Sequence, residues 1–401
     1  MNKNIHIMAK PKSHICNISC DYCFYLQKGE TTLSNCNKLM TDETLRVYIK
    51  NYIEQTPSNT VEFTWQGGEP TLAGLEFFKR VIEIQNQYSV NKVIRNSLQT
   101  NGLIINESWA MFLKEHNFLV GLSCDGPEHI HDRYRKNKSG SSGTHKQVIA
   151  TIHLLKKYGV EFNLLCVVTD YSCKYGNEIY QYFVEDLKVK HLQFIPIVEH
   201  KHVMTGELIV PCSKSLSEVT SWSVPSKCYG EFLKDVFNCW IKRDVGTVFV
   251  QIFDSTLAAW VGDVPSMCVM QPSCSDSLIM ESNGDIYNCD HFVYPEYRLG
   301  SISNLETCLE LNEKRIAFNN LKPNLGEKCQ KCLYKFACQG GCPKHRVPMG
   351  NDQHNFLCEG YKAFFGHVAP YMDFMSSLIK RQYSPSLIMD YLTHLPQLGD
   401  R

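Results

Sequence analysis

Charge of one sign is what this chain lacks. Its 41 lysines and arginines are matched by 41 aspartates and glutamates over 401 residues. A net charge of zero argues against a nucleic-acid scaffold and against a binder of anionic membranes, since both work through basic surface. Long apolar runs are missing too. None approaches the roughly 18 residues that cross a bilayer as a helix. The amino terminus has no apolar core of about 7–15 residues such as a signal peptide carries. The expectation is a soluble, cytoplasmic protein, with a length that suits two or three domains.

Cysteine, by contrast, is plentiful, with 19 in the chain. Without a secretion signal, clustered cysteines point to metal rather than to disulfides. Three fall in Cys16-Asn-Ile-Ser-Cys20-Asp-Tyr-Cys23 and eight between Cys268 and Cys358. The others (Cys36, Cys124, Cys166, Cys173, Cys212, Cys228, Cys239 and Cys308) are scattered and read as small hydrophobes or surface thiols. Thiolates spaced as in Cys16–Cys23 can hold three corners of an iron–sulfur cluster. They leave a fourth corner open, where a substrate can bind. The alternative is a zinc knuckle completed by a distant ligand such as His14.

The first half alternates strand and helix patterns. Strands are expected at Ile5–Lys10, Val61–Gln66, Lys92–Gln99, Phe118–Ser123, Glu161–Thr169 and His191–Val198. Helices are expected at Thr41–Ile53, Leu75–Gln87, Glu107–His116, Thr144–Tyr158 and Gly176–Leu187, with Thr41 and Asn106 as N-caps. Six strands in this order imply a parallel sheet, either an open barrel or a doubly wound sheet. The active site then belongs at the carboxyl ends of the strands, where the three-cysteine loop falls. Polar, glycine-containing loops occupy the same ends: Gln66-Gly-Gly-Glu-Pro70, Gln99-Thr-Asn-Gly102 and Ser123-Cys-Asp-Gly-Pro127. Each alone is an ordinary turn former; together they suggest one ligand cleft. Paired glycines admit close backbone approach, and Glu69 can accept a hydrogen bond from an ammonium group.

Residues 200–222 show no clear period and read as a linker. Cys228–Lys242 reads as an amphipathic helix whose stripe Phe232, Val236, Phe237 and Trp240 faces a core. Beyond it, Ser282-Asn-Gly-Asp285 between two alternating runs signals a hairpin, with Cys268, Cys274 and Cys289 around it. Cys329-Gln-Lys-Cys332, Cys338, Cys342 and Cys358 follow. Eight thiols suit two four-thiolate sites. Zinc ribbons compete with iron–sulfur clusters, and spacing alone groups Cys342 with Cys338.

The cysteine triad with Tyr22, followed by Gly67-Gly-Glu-Pro70, resembles the radical S-adenosylmethionine enzymes. The Cys-rich tail is similar to their SPASM auxiliary-cluster domain. The nearest resemblance is to the anaerobic sulfatase-maturating enzymes. It is carried by Cys23-Phe-Tyr25, by the stretch from Trp65 to Phe78, by Asn96-Ser-Leu-Gln-Thr-Asn-Gly102, by Phe118–Pro127, by Glu161–Val168 and by Tyr287-Asn-Cys-Asp290. The resemblance implies an α/β fold: a partial (β/α)6 barrel of parallel strands, then a small Cys-rich α+β domain binding two iron–sulfur clusters. The barrel would cover 1–222, a linker helix region 223–265, the SPASM domain 266–375 and a C-terminal tail 376–401.

The same resemblance implies a set of site residues. Cys16, Cys20 and Cys23 would hold a 4Fe–4S cluster whose open iron chelates S-adenosylmethionine. Tyr22, Gly68, Ser123, Arg135 and Val198 would contact that cofactor, although Val198 stands where leucine is usual. Cys268, Cys274, Cys289 and Cys342 would hold one auxiliary 4Fe–4S cluster, and Cys329, Cys332, Cys338 and Cys358 the other. Cys342 would thus leave its near neighbour Cys338. Asp290 would act as the base. The implied reaction converts a cysteine or serine of a sulfatase, in a Cys/Ser-x-Pro-x-Arg motif, to Cα-formylglycine. A 5′-deoxyadenosyl radical takes hydrogen from Cβ, an auxiliary cluster accepts the second electron, and a reducing electron donor starts the cycle. Thr144-His145 stands where Thr-Phe is expected, and Cys342 is followed by Pro343-Lys-His rather than by arginines. Two other readings stay open: a maturase that crosslinks a ribosomal peptide, and a non-catalytic zinc-binding scaffold. Such maturases often carry an extra domain before the barrel, and only about fifteen residues precede Cys16 here.

Overall fold

The structure, a computed structural model, describes residues 5–29, 33, 39–213, 217–274, 277–310, 313–349 and 352–392. Cys36 lies outside them. In chain order the principal elements are β1 (His6–Ala9), α1 (Asp42–Gln55), β2 (Thr60–Trp65), α2 (Leu75–Tyr88), β3 (Val93–Thr100), α3 (Glu107–Glu115), β4 (Leu119–Ser123), α4 (His145–Tyr158) and β5 (Phe162–Val168). Then come α5 (Gly176–Gln181), β6 (His191–Pro196), α6 (Ser226–Arg243), β7 (Phe249–Val250), α7 (Gln251–Val261), β8 (Ser277–Met280), β9 (Asp285–Tyr287), β10 (Arg298–Ser301) and α8 (Cys358–Lys380). All six expected strands and five expected helices are present. The last of those helices gives way after Gln181 to a wider π turn, Tyr182–Asp186. Among the described residues no helix is long and apolar enough to cross a membrane.

Contacts divide the chain into two compact units. The first comprises Met1–Cys124, His131–Asn163 and Ser275–Asn319. In it β1, β2, β3 and β4 are successive parallel neighbours. The alternation of β2 buries Val61, Phe63 and Trp65, and α1 covers them. Tyr48 and Tyr52 of α1 stack on one another and meet Phe63 edge-on. The Tyr48 hydroxyl donates to the Ile7 carbonyl at 2.8 Å, so a buried phenol keeps a partner. Thr41 and Asn106 cap α1 and α3 through their side-chain oxygens, as expected. The hairpin at Ser282–Asp285 forms between β8 and β9, with Gly284 at φ +88°. Sequence order did not signal its placement: β8 lies parallel to β1.

The second unit comprises Asp125–Ile130, Leu164–Cys274 and Asn320–Arg401. β6 is parallel to both β5 and β7. The α6 stripe Phe232, Val236, Phe237 and Trp240 is buried, as its spacing required. Two expectations fail here. Residues 200–222 are not a plain linker, because His200–His202 pairs antiparallel with Ser217–Val219. Strands of three residues are too short to show a period. Nor are all the scattered cysteines single thiols: Cys173 and Cys228 form a disulfide, their Cα atoms 5.7 Å apart. The turn after β5 brings Cys173 to the start of α6, a pairing that their separation of 55 residues hid.

Helices α6 and α8 cross where neither has a side chain. A Cβ on Gly360 would sit 2.1 Å from the Ser226 carbonyl oxygen, and one on Gly230 would sit 2.7 Å from that of Gly360. The obstacle is backbone, which cannot swing aside. Gly360→Val is expected to lower the unfolding free energy of cluster-free protein by roughly 1–3 kcal/mol, the usual range for an overpacked site. Urea unfolding followed by circular dichroism measures it, and an unchanged midpoint would show that the helices can separate freely.

Candidate active site and cysteine cavities

Lys10 directly follows the first strand, and the chain then turns through Ser13 to the cysteine loop. The loop after β2 docks on it by backbone alone. Gly68 N–H donates to the Ser13 carbonyl at 2.7 Å, and Glu69 N–H to that of Ile15 at 2.8 Å. A Cβ on Gly68 would lie 2.2 Å from the Ile15 oxygen. Glycine is required because two backbones touch, and Gly67, at φ +131°, completes the turn.

Glu69 is anchored within the fold itself. Its buried carboxylate accepts from Thr71 N–H (3.0 Å), the Thr71 hydroxyl (2.6 Å), the Thr100 hydroxyl (2.7 Å) and Asn101 N–H (2.8 Å). Burial pushes its carboxyl up, and these donors pull it back. Held this way, Asn101 directs its side-chain amide to Asn17 Oδ1 at 2.8 Å and to Cys16 Sγ at 3.6 Å. The carboxyl ends of β2 and β3 therefore fix the cysteine loop.

Ile18–Cys20 pairs antiparallel with Arg135–Asn137, setting Cys20 opposite Arg135. The Arg135 guanidinium lies 4.0 Å from Cys20 Sγ and 5.7 Å from the centroid of the Tyr22 ring. Thr144 donates its hydroxyl to the Arg135 carbonyl and meets His131 Nε2 at 3.0 Å. The Thr144-His145 pair thus reaches the site through Arg135. Ser123, at the end of β4, lies 3.5 Å from the Gln99 amide. Tyr22, Gly68, Ser123 and Arg135 all belong to the first unit. Val198 is a buried residue of the second, just past β6. His14 is not aimed by any hydrogen bond: its Nδ1 is buried without a partner, and its ring fills the space beside Gly29.

Burial pushes the Cys16 thiol up to about 11 and raises Cys23 as well. Cys23 feels Arg135 and Lys10, which oppose that rise. Among the described residues no three Cys, His, Asp or Glu side chains sit together closely enough to enclose a single metal ion.

Asp290 follows Cys289 at the head of a 3₁₀ turn. It forms an ion pair with Lys10, which is buried to 1% exposure. The Lys10 ammonium also sits 3.4 Å from the Tyr25 ring centroid. The Tyr25 hydroxyl donates to buried Glu281, which accepts from Ser13 Oγ as well. Lys28 donates to the Asp290 and His291 carbonyls. Burial alone would raise the Asp290 carboxyl. Lys10, His291 and Lys28 outweigh it and hold it at about 2. Lys10 and Glu281 escaped the sequence reading, which placed Asn101 in a cleft loop without a role of its own. The one available signal was a lysine closing an apolar strand.

The later cysteines fall into distinct sets. Cys329, Cys332, Cys338 and Cys358 line one recess. Burial raises Cys338 to about 12, reinforced by those three neighbours. Cys342 instead lies within electrostatic reach of Cys268 and Cys274. The cause is local. Gln339, Gly340 and Gly341 are all left-handed, at φ +49°, +73° and +66°, and they turn the chain away between Cys338 and Cys342. Cys289 belongs to the first unit and the other seven to the second.

Residues 11–174 match the Radical SAM superfamily. The chain is 41% identical over 398 residues to the serine-type anaerobic sulfatase-maturating enzyme of Bacteroides thetaiotaomicron, covering 97% of this chain and 95% of that one. It is 37% identical to the cysteine-type anaerobic sulfatase-maturating enzyme of Clostridium perfringens, covering 94% and 99%. It also superposes on native anSMEcpe with bound AdoMet and Cp18Cys peptide. There the TM-score is 0.81 and the identity 36%, with 93% and 99% of the two chains covered. A three-cysteine loop closing the first strand of a parallel α/β fold, with this match, defines a radical S-adenosylmethionine protein. More narrowly, the chain belongs to the anaerobic sulfatase-maturating enzymes. Its fold is theirs, a partial (β/α)6 barrel with a Cys-rich C-terminal part.

The Asp290 ion pair has a signed consequence. A carboxyl at about 2 in the folded protein and near 4 in the unfolded chain adds stability that is fully present above about pH 4. It is lost as pH falls through 2. Asp290→Asn is expected to cost cluster-free protein about 2 kcal/mol at pH 7, with the difference from wild type shrinking toward pH 2. Urea titrations at both pH values read it, and a gap that does not depend on pH would contradict the ion pair.

Proposed function

We propose that this protein converts a cysteine or serine side chain of a sulfatase polypeptide to Cα-formylglycine. The observation that carries the reading is the pairing at the end of β1. The cysteine loop and the Lys10–Asp290 ion pair leave the same strand end, so a radical source and a base adjoin one another.

Cys16, Cys20 and Cys23 hold a 4Fe–4S cluster, with S-adenosylmethionine against Tyr22, Gly68, Ser123, Arg135 and Val198. The donor set suits it. Three half-buried thiols sit beside a guanidinium, and burial opposes bare thiolates unless a cation is bound. Cys268, Cys274, Cys289 and Cys342 hold one auxiliary 4Fe–4S cluster. Cys329, Cys332, Cys338 and Cys358 hold the other, an assignment that the shared recess of the latter four supports. The expected domain limits (barrel 1–222, linker helices 223–265, SPASM domain 266–375, tail 376–401) go with this assignment. When bound, the cluster and S-adenosylmethionine supply the 5′-deoxyadenosyl radical that takes a hydrogen atom from Cβ of the target residue.

The chain's own residues do the remainder. Arg135 offers its guanidinium to a carboxylate and Tyr22 its ring to an adenine. The Asp290 carboxylate takes the thiol or hydroxyl proton of the target, and Lys10 fixes the direction from which it does so. The partner is an unfolded sulfatase segment with a Cys/Ser-x-Pro-x-Arg motif, and the setting is the cytoplasm, where a reducing electron donor is at hand.

Reconstituted protein, S-adenosylmethionine, dithionite and such a peptide are expected to give 5′-deoxyadenosine and an aldehyde-bearing peptide, with about twelve irons per chain. Absence of both products would sink the assignment. Lys10→Met is expected to keep 5′-deoxyadenosine formation while aldehyde falls about tenfold or more. Equal loss of both would assign Lys10 to cofactor binding instead.

A further inference from the structure

Lys322, Lys344 and Arg346 are buried cations around the thiols that Cys342 joins. Lys322 is 1% exposed, and its ammonium donates to the Cys268 carbonyl. It lies within electrostatic reach of the Cys268, Cys274 and Cys342 side chains. Lys344 and Arg346 follow Cys342 by two and four residues. Their situations differ. Lys344 is neutralised by an ion pair with buried Glu199. Arg346 commits its guanidinium to backbone, donating to the carbonyls of Leu321 (2.6 Å), Lys322 (2.7 Å) and Asn324 (3.2 Å). It thereby pins the turn that carries Lys322. Among the described residues Lys322 itself has no carboxylate partner. A buried ammonium is costly unless an anion faces it, and the groups that face this one are thiols.

We propose that Lys322, positioned by Arg346, is the counter-cation of the auxiliary cluster at Cys268, Cys274 and Cys342, and that its charge makes this cluster easier to reduce. The inference rests on the reading above, in which one electron must leave the substrate. After hydrogen abstraction the target carries an unpaired electron on Cβ. Its thiol or hydroxyl proton passes to Asp290, and the Cβ double bond to sulfur or oxygen forms. One electron passes to the oxidised cluster, which is thereby reduced by one electron. A thiolate-ligated cluster carries net negative charge, which opposes each added electron. A fixed positive charge at short range, out of water, offsets that opposition. A charged ammonium does so without competing for iron, because it has no lone pair to donate.

A redox titration of the reconstituted full chain, followed by electron paramagnetic resonance, tests this on wild type, Lys322→Met and Lys322→Arg at matched iron content. The cluster that binds S-adenosylmethionine is recognised by the change in its signal when that compound is added. Of the other two signals, the one that survives in Cys332→Ala is expected to fall in potential in Lys322→Met. The expected fall is about 59 mV or more, a tenfold or larger drop in the equilibrium constant for reduction, with the remaining signals unmoved. Lys322→Arg keeps the charge and is expected to keep the wild-type potential. Unmoved potentials in Lys322→Met, or an equal fall in Lys322→Arg, overturn the proposal. If Lys322→Met loses iron, Lys322→Gln replaces it with the same expectation. Iron loss by Lys322→Arg as well makes Lys322 a packing residue and also overturns the proposal. The titration contains no peptide, so its result does not depend on the proposed reaction. 5′-Deoxyadenosine and peptide aldehyde are measured separately on the wild-type sample. Absence of both counts against the reaction, and unmoved potentials with both present count against the role of Lys322 alone.

Discussion

A carboxylate with no exposed surface holds the site together. Glu69 accepts four hydrogen bonds from Thr71, Thr100 and Asn101. A buried charge is tolerated only when its lone pairs are filled, and filling them locks the ends of β2 and β3 against each other. From the same residue the backbone N–H reaches Ile15, and through Asn101 the clamp reaches Cys16. The cysteine loop contains little regular structure of its own. Its shape is imposed from beside it, by a carboxylate and by two glycines that let backbone touch backbone.

The other side of the loop is fixed by a second buried charge of opposite sign. Lys10 cannot remain buried as an ammonium without an anion, and Asp290 supplies it from 280 residues away. Tyr25 and Glu281 complete the surroundings of Lys10 and tie the β8–β9 hairpin to the first strand's exit. The parallel pairing of β8 with β1 makes that meeting possible. Topology here does chemical work. A hairpin late in the sequence brings a carboxylate to the strand end that begins the cysteine loop.

Much of this was legible from residue order. Strand and helix periods located the six parallel strands and five helices of the first half, because one-sided burial writes period 2 or 3.6 into the sequence. The cysteine spacings marked the stretches proposed to hold clusters, and Asn283-Gly284 marked the hairpin. What could not be read has a common cause. Lys10 with Asp290, Glu69 with Thr100, and Cys173 with Cys228 are partners that only the fold brings together. Glu69 is the instructive case, since its residue type suggested a hydrogen-bond acceptor but not that Thr71, Thr100 and Asn101 would be its donors. The hairpin within 200–222 was missed because three-residue strands carry no period. The separation of Cys342 from Cys338 lies between these extremes. The paired glycines hinted at a turn, but only three consecutive left-handed residues make it sharp enough to part near neighbours.

The central claim is that the missing fourth thiolate beside Cys16, Cys20 and Cys23 is where S-adenosylmethionine binds. Its most direct test is electron–nuclear double resonance on reduced, reconstituted protein given S-adenosylmethionine labelled with ¹⁵N at the amino group and ¹⁷O at the carboxylate. Hyperfine coupling from both labels, abolished by Cys20→Ala and retained in Cys332→Ala, is the predicted result. A reduced cluster whose spectrum shows no coupling to either label would contradict it.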